Sequence, residues 1–387
     1  MKKHLLFCSF LIACGSSGEI ADSGADGGID DQSAQDATPL GDAEPGVPIT
    51  GVTPGTWSWV DFPTALCRDG TPTGIGVNPS TTGSKKLMIF LEGGGACFNA
   101  QTCGSNPAHF AKNEFTGIFV PAEGAKGIFS RTDTNNAVAD WNMVYIPYCT
   151  GDVHAGNAPD STVPGVAGKQ QFVGYTNVTQ YLSRIVPTFP DMQRVLLTGQ
   201  SAGGFGAALD YVQVSRAFGT VPVDLLDDSG PLMANPYLAA CLETNIANLF
   251  GLTKTVIGQD CGTDCTDVGN DLALYWAHLP KTYPNSRFGF IDSTADSVIS
   301  SFFGFGANNC TSFKSIAAAQ YQAGLLDMRA AVSASSNAGL FLYTGNDHTT
   351  VVSMYTTRTA PSADAGTVKF EDWVKSLVTD SVTNVGP

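Results

Sequence analysis

Ser201 stands in the run Gly199-Gln200-Ser201-Ala202-Gly203-Gly204, directly after the apolar Val195-Leu196-Leu197-Thr198 and before a helix-like stretch from Ala202 to about Phe218. That is the layout of a nucleophile elbow. A serine on a sharp strand-to-helix turn needs small neighbours, because a side chain two positions away would strike the turn or cover the hydroxyl. The helix that follows aims its first N–H groups at the place where an oxyanion would form. In a chain with 43 Gly the bare pattern also suits a plain turn. Its place between strand and helix favours the catalytic reading, and partners must complete it.

A serine hydroxyl attacks poorly until a base takes its proton, and histidine is the usual base. Beyond the first few residues the chain offers His109, His154, His278 and His348. His348 lies in the polar loop Thr344-Gly345-Asn346-Asp347-His348-Thr349-Thr350, after the strand-like Gly339 to Tyr343. An α/β-hydrolase takes its base from the loop after the last main strand, in the order Ser, acid, His. The acid must hold the imidazole's tautomer and stabilise the imidazolium. Phe288-Gly289-Phe290-Ile291-Asp292-Ser293-Thr294-Ala295-Asp296 offers two carboxylates at a strand end, with Asp296 preferred and Asp292 second. Asp227 and Asp228, before Ser229-Gly230, read as loop-ordering groups. Oxyanion donors are expected from the N–H of Ala202 and from the glycine-rich Glu92-Gly93-Gly94-Gly95-Ala96 after strand-like Leu87 to Leu91. Such a triad requires no metal or organic cofactor.

The positioning elements follow from apolar runs. Leu87–Leu91, Met143–Pro147, Val195–Thr198, Val223–Leu226, Phe288–Ile291 and Leu340–Tyr343 are short, near-continuous and well separated, as buried parallel strands with crossover helices are. A three-layer α/β architecture is expected. Between Leu226 and Phe288 an insertion of about sixty residues holds three cysteines, Trp276 and His278; it either covers the site or serves structure alone.

The remaining features concern compartment and partners. Lys2-Lys3, apolar Leu5 to Ile12 and Leu11-Ile12-Ala13-Cys14 resemble the lipobox of bacterial lipoproteins, which implies cleavage before Cys14 and acylation of its thiol. An ordinary secretory signal cut nearby is the alternative. Gly15 after the cysteine favours the outer membrane, with the cell surface or exterior as the other destination. Residues 15–50 carry eight acidic residues and no Lys or Arg, a composition suited to a solvated tether. The expected division is a signal over 1–13, a tether over 14–50 and one large domain over 51–387. Membrane contact should be by the anchor only. The formal net charge of −15 argues against nucleic-acid binding. Eight cysteines remain after Cys8 and Cys14, and an even number in an exported chain reads as four disulfides; Cys97 and Cys103 are close enough to pair. A zinc site at Cys261 and Cys265 lacks a matching Cys/His pair downstream.

Several segments together resemble one family, the pectin acetylesterases and Notum-type carboxylesterases. They are Cys67-Arg68-Asp69-Gly70-Thr71-Pro72, Leu91-Glu92-Gly93-Gly94-Gly95-Ala96-Cys97-Phe98-Asn99, Ile146-Pro147-Tyr148-Cys149, Gly199 to Gly204 and Ala295-Asp296-Ser297. The resemblance implies an α/β-hydrolase with a mostly parallel central sheet flanked by helices and a disulfide-stapled insertion. By position it implies Ser201 as nucleophile, Asp296 as acid, His348 as base, Gly94, Gly95 and Ala202 as oxyanion donors, and a Cys97–Cys103 disulfide. Family members often carry Trp at or next to Gly95, so Gly95-Ala96 predicts a wider pocket there. The implied activity is ester hydrolysis, with O-acetyl groups on a polysaccharide as the leading substrate and lipid-acylated proteins or polyesters as the alternative. A binding lipoprotein without catalysis is the competing class.

Overall fold

The computed structural model describes residues 46–387 apart from 268–269 and 364. The signal, Cys14 and most of the tether lie outside the described residues. Gly46 N–H donates to Ser183 O at 2.7 Å and Ile49 is buried, so the folded part already takes in the last residues of the stretch assigned to the tether.

Eight strands form one sheet: β1 Ser58–Leu66, β2 Pro72–Asn78, β3 Lys86–Leu91, β4 Asn142–Ile146, β5 Arg194–Gln200, β6 Val223–Asp228, β7 Phe288–Ser293 and β8 Ala338–Tyr343. Their order across the sheet is β1-β2-β4-β3-β5-β6-β7-β8. β1 and β2 pair antiparallel, as do β2 and β4, and every pair from β4 to β8 is parallel. The six strands expected from apolar runs are the parallel ones. Both faces are covered, which is why the runs are continuous: Leu87, Ile89 and Leu91 belong to one core cluster, Met88 and Phe90 to the other. β1 and β2 were not visible in the sequence. β1 is half exposed, and its register shifts between Phe62 and Leu66 around Pro63. In β2, Gly76 leaves room for the Phe115 ring, whose Cε2 would lie 2.3 Å from an added Cβ.

One face carries α1 Gly174–Thr188, α2 Ala202–Leu209, α3 Tyr211–Phe218, α4 Ala240–Phe250, α5 Asp271–Thr282 and α7 Ala318–Val332, while α6 Ser297–Phe303 follows β7; α8 Phe370–Thr379 packs on the opposite face. The single helix expected from Ala202 to Phe218 is two, interrupted at Asp210 with φ −88° and ψ 1°. α4 and α5 belong to the insertion.

Among the described residues four disulfides are present: Cys67–Cys149, Cys97–Cys103, Cys241–Cys310 and Cys261–Cys265. The last pairing removes the thiolates that a zinc site would need. Cys241–Cys310 ties α4 to the chain beyond α6. Among the described residues no helix is long and apolar enough to cross a membrane.

Parallel strands put their carboxyl ends on one edge, and ligands of open α/β sheets bind there. Register aligns Leu91 with Gly199 and Gln200 with Asp228 at that edge. The glycine loop after β3, Ser201 after β5, Asp296 after β7 and His348 after β8 therefore converge.

Candidate active site

Ser201 joins β5 to α2 with φ 57° and ψ −121°, a backbone state that costs an L residue about 1–3 kcal/mol. Its surroundings hold it there. The Ser201 N–H donates to Asp228 O at 2.7 Å, and its carbonyl accepts from the N–H groups of Gly204 at 2.9 Å and Phe205 at 3.1 Å. The flanking glycines are required by contact. A Cβ on Gly203 would lie 2.0 Å from Leu91 O, and one on Gly199 would lie 2.2 Å from Gly203 O. Small neighbours are needed because the carbonyl of the last β3 residue lies against the turn.

His348 Nδ1 meets Asp296 Oδ2 at 2.6 Å. The other oxygen of Asp296 accepts from the N–H groups of Val298 at 2.8 Å and Ile299 at 2.9 Å, so this carboxylate also caps α6. Its side chain is 0 % exposed. The loops that carry the two residues are joined: Ser293 Oγ donates to Asp347 O at 2.7 Å, Thr294 N–H to Tyr343 O and Ala295 N–H to Gly345 O, both at 2.9 Å. Ser201 and His348 line one cleft with Gly93, Gly94 and Gly95, without a hydrogen bond joining them. Such contacts commonly tighten only in the substrate complex.

Asp292 faces elsewhere. Its carboxylate accepts from the Tyr321 hydroxyl and from Ser293 N–H at 2.7 Å. Burial, with the nearby charge of Asp296, pushes its pKa well above the usual carboxylate range. Of the two carboxylates left open by the sequence, only Asp296 meets the imidazole. Asp227 orders its own loop, accepting from Gly230 N–H at 2.9 Å. Asp228 does something the sequence did not suggest, since it reaches the histidine loop: its Oδ2 accepts from the N–H groups of Thr350 at 2.6 Å and Val351 at 2.7 Å. Burial pushes Asp228 up to about 6, partly offset by those N–H bonds.

The glycine loop is set by side chains that no motif announced. Asn106 Nδ2 donates to Gly94 O at 2.8 Å and the Tyr148 hydroxyl donates to Gly95 O at 2.7 Å. A trans peptide carries C=O and the next N–H on opposite sides, so these bonds turn the N–H groups of Gly95 and Ala96 away from Asn106 and Tyr148. Among the described residues, the N–H groups of Gly93, Gly94, Gly95, Ala96 and Ala202 have no protein acceptor. They are available to a ligand oxygen. Upstream, His154 Nε2 donates to Glu92 O at 2.8 Å; burial lowers this histidine to about 4, so it stands neutral as a fastener for the loop. The other two histidines are elsewhere, His109 beside Thr71 and Asp69 on the surface and His278 between Asp260 and Asp264 in the insertion.

Two spaces meet at Ser201. One is the cleft with His348. The other is an apolar pocket running from Gly95, Ala96 and Ser201 to α4 and the start of α5, with a cavity volume of about 70 Å³. Most of its walls are Leu, Ile, Val and Phe side chains. Gly95 lines both spaces, the cleft and the apolar pocket. A Cβ on Gly95 would lie 3.0 Å from Cζ of Phe302, so a ring from α6 sits beside the glycine. The insertion does line the pocket, through Leu238, Leu242, Ile246 and Phe250, whereas Trp276 is fully buried in the core.

The sequence pattern of the pectinacetylesterase family matches residues 59–265, a span that includes the glycine loop and Ser201. Palmitoleoyl-protein carboxylesterase notum2 of Xenopus laevis is 33% identical over 151 residues, 38% of this chain and 30% of that protein. Palmitoleoyl-protein carboxylesterase notum1a of Danio rerio is 32% identical over 178 residues, 44% of this chain and 34% of that protein. The matched part thus spans about a third of the length of these relatives. The crystal structure of the Wnt deacylase Notum from Drosophila superposes with a TM-score of 0.58 at 16% identity, covering 84% of this chain and 93% of that one. At that identity the likeness is one of fold, an α/β-hydrolase.

Proposed function

The chain belongs to the pectinacetylesterase family, and on that premise we propose that it is a serine carboxylic-ester hydrolase with Ser201, His348 and Asp296 as its triad. His348 takes the Ser201 proton through Nε2 while Asp296 holds Nδ1–H and stabilises the imidazolium. The alkoxide attacks the ester carbonyl, and the resulting oxyanion is met by N–H groups of Gly94, Gly95 and Ala202. Collapse expels the alcohol, which takes the proton from His348 and leaves an acyl group on Ser201. A water molecule, deprotonated by the same histidine, then releases the acid. The observation that carries this reading is the 2.6 Å His348–Asp296 contact in a cleft shared with Ser201.

The acyl pocket favours a chain longer than acetyl. Its wall of Leu, Ile, Val and Phe side chains is more than an acetyl methyl can cover, and each methylene buried there contributes about 0.8 kcal/mol, up to about fourfold in kcat/KM. The acetylated polysaccharide suggested by sequence is therefore the second reading. A series of p-nitrophenyl esters from acetate to decanoate, run beside acetate release from acetylated pectin and xylan, separates them. Rates should climb beyond acetate; a maximum at acetate with release from the polysaccharides would establish the acetylesterase instead. Turnover that survives in Ser201→Ala would remove Ser201 from the mechanism.

We also propose export with a lipid on Cys14, to the outer membrane or cell surface. Four disulfides suit an oxidising compartment. Incorporation of labelled palmitate into the full chain should disappear in Cys14→Ser.

A further inference from the structure

Part of the acyl pocket's wall is one side chain thick. Beyond it lies a second space of about 250 Å³, between the chain that enters α4, the chain that leaves α6 and the start of α7. Among the described residues Phe303, the last of α6, alone lines both spaces. It is 5 % exposed, and Ile299, one turn earlier on α6, lines the acyl pocket with it. Next to the ring the partition is close contact between α4 and the chain after α6. A Cβ on Gly306, which lines the second space, would lie 2.5 Å from Ala239 Cβ and 3.6 Å from Leu242 Cβ, and Leu242 lines the acyl pocket. The frame of the second space does not depend on the ring. Lys314 N–H donates to Gly304 O at 3.0 Å and Ile316 N–H to Ser300 O at 3.1 Å, while the Cys241–Cys310 disulfide ties α4 to the chain beyond α6. Both spaces should therefore keep their places when the side chain at 303 is changed.

We propose that Phe303 determines acyl length: its ring closes the pocket off from the second space, so a chain that fills the pocket stops against the ring and longer chains are excluded. This rests on the reading of Ser201 as an esterase nucleophile with its acyl group in this pocket. A cavity of about 70 Å³ among close-packed side chains admits an extra methylene only by displacing a neighbour, and overpacking of that kind costs more than burial of the methylene gains. Without the ring the balance reverses. The chain end then enters the second space, where Ala239, Ala307 and Ile316 offer apolar contact beside Tyr237, Lys314 and Gln320.

The test measures kcat/KM for p-nitrophenyl esters of the even-numbered acyl chains from acetate to palmitate, in wild type, Phe303→Leu, Phe303→Ala and Phe303→Ala combined with Ala307→Trp. Wild type should fall about tenfold from its best ester to the one four carbons longer. Relative to that best ester, Phe303→Ala should raise the esters two and four carbons longer by about tenfold, with Phe303→Leu in between. Filling the second space through Ala307→Trp should restore the shorter limit. α6 carries Asp296 at its other end, so a disturbed triad would lower all esters alike, and comparison within each enzyme removes that effect. A wild type that hydrolyses palmitate as readily as its best shorter ester would overturn the proposal before any variant is made. So would Phe303 variants with the wild-type length profile, or a long-chain gain that persists in the double variant. A wild type that works best on acetate would instead bring down the longer-chain reading, and turnover of no ester the esterase reading, with this inference falling alongside either.

Discussion

Asp296 joins two requirements in one side chain: one oxygen meets the imidazole of His348 and the other caps α6. The cap fixes the carboxylate before substrate arrives, so the imidazole is oriented without reorganisation. Asp292, four residues earlier, is held by Tyr321, and burial with the charge of Asp296 pushes its pKa well above the usual carboxylate range. The two aspartates should therefore respond oppositely to the same change. Asp296→Asn should lower kcat by about 10⁴, since the amide favours the wrong tautomer. Asp292→Asn keeps an acceptor for Ser293 N–H and lies away from the imidazole, so it should leave kcat within a few-fold, as p-nitrophenyl octanoate kinetics will show. The sequence could place both at a strand end but could not choose by chemistry, because the choice depends on which way each side chain leaves the loop.

At the scale of elements, the site depends on how the β3 loop and the β5–α2 turn fit together. Gly203 touches the Leu91 carbonyl so closely that Gly203→Ala must push the elbow off the sheet. A loss of about 3 kcal/mol in unfolding free energy, with activity falling in step, is expected from denaturant titration. Tyr148 acts through the glycine loop and not on the substrate. Tyr148→Phe should lower kcat about tenfold and leave KM nearly unchanged, because the loop's donors matter most to the charged transition state. An equal rise in KM would assign Tyr148 to ground-state binding instead. The six parallel strands, the elbow and the histidine loop were legible because each is a local pattern: a buried run, a glycine spacing, a polar loop after a strand. β1 and β2 were not, since a half-exposed strand broken at Pro63 and a glycine-rich partner leave no such run. The supports of the site were also hidden. Asn106, Tyr148 and Asp228 act on residues 12, 53 and 122 positions away, and their role exists only once the sheet has brought those positions together. Nor was the ring of Phe302 beside Gly95 legible, since it arrives from an element far downstream.

Across the whole molecule, buried carboxyls give stability a pH dependence with a definite sign. Burial raises Glu92 and Glu243 to about 7 and Asp152 and Asp228 to about 6, against unfolded values near 4. Between those limits the folded protein holds more protons than the unfolded chain, so this contribution is complete at the acid end and is lost as pH rises through 6 and 7. His154, lowered to about 4, works the other way between 4 and 6.5, but it is one group against four. The net result is a protein whose Tm falls from pH 5 to pH 8, by about 5–10 °C if two or three protons are released. A Tm that rises over the same range would contradict the burial of these groups. The same fold that buries these carboxyls brings four separate loops to one edge of the sheet, and Ser201 is where they meet. The most direct test of the account is to treat the full chain with an alkyl fluorophosphonate and map the adduct by peptide mass spectrometry. A single adduct on Ser201, absent in Ser201→Ala and formed far more slowly in Asp296→Asn, is the predicted result; an unlabelled Ser201 in a protein that still hydrolyses p-nitrophenyl esters would contradict it.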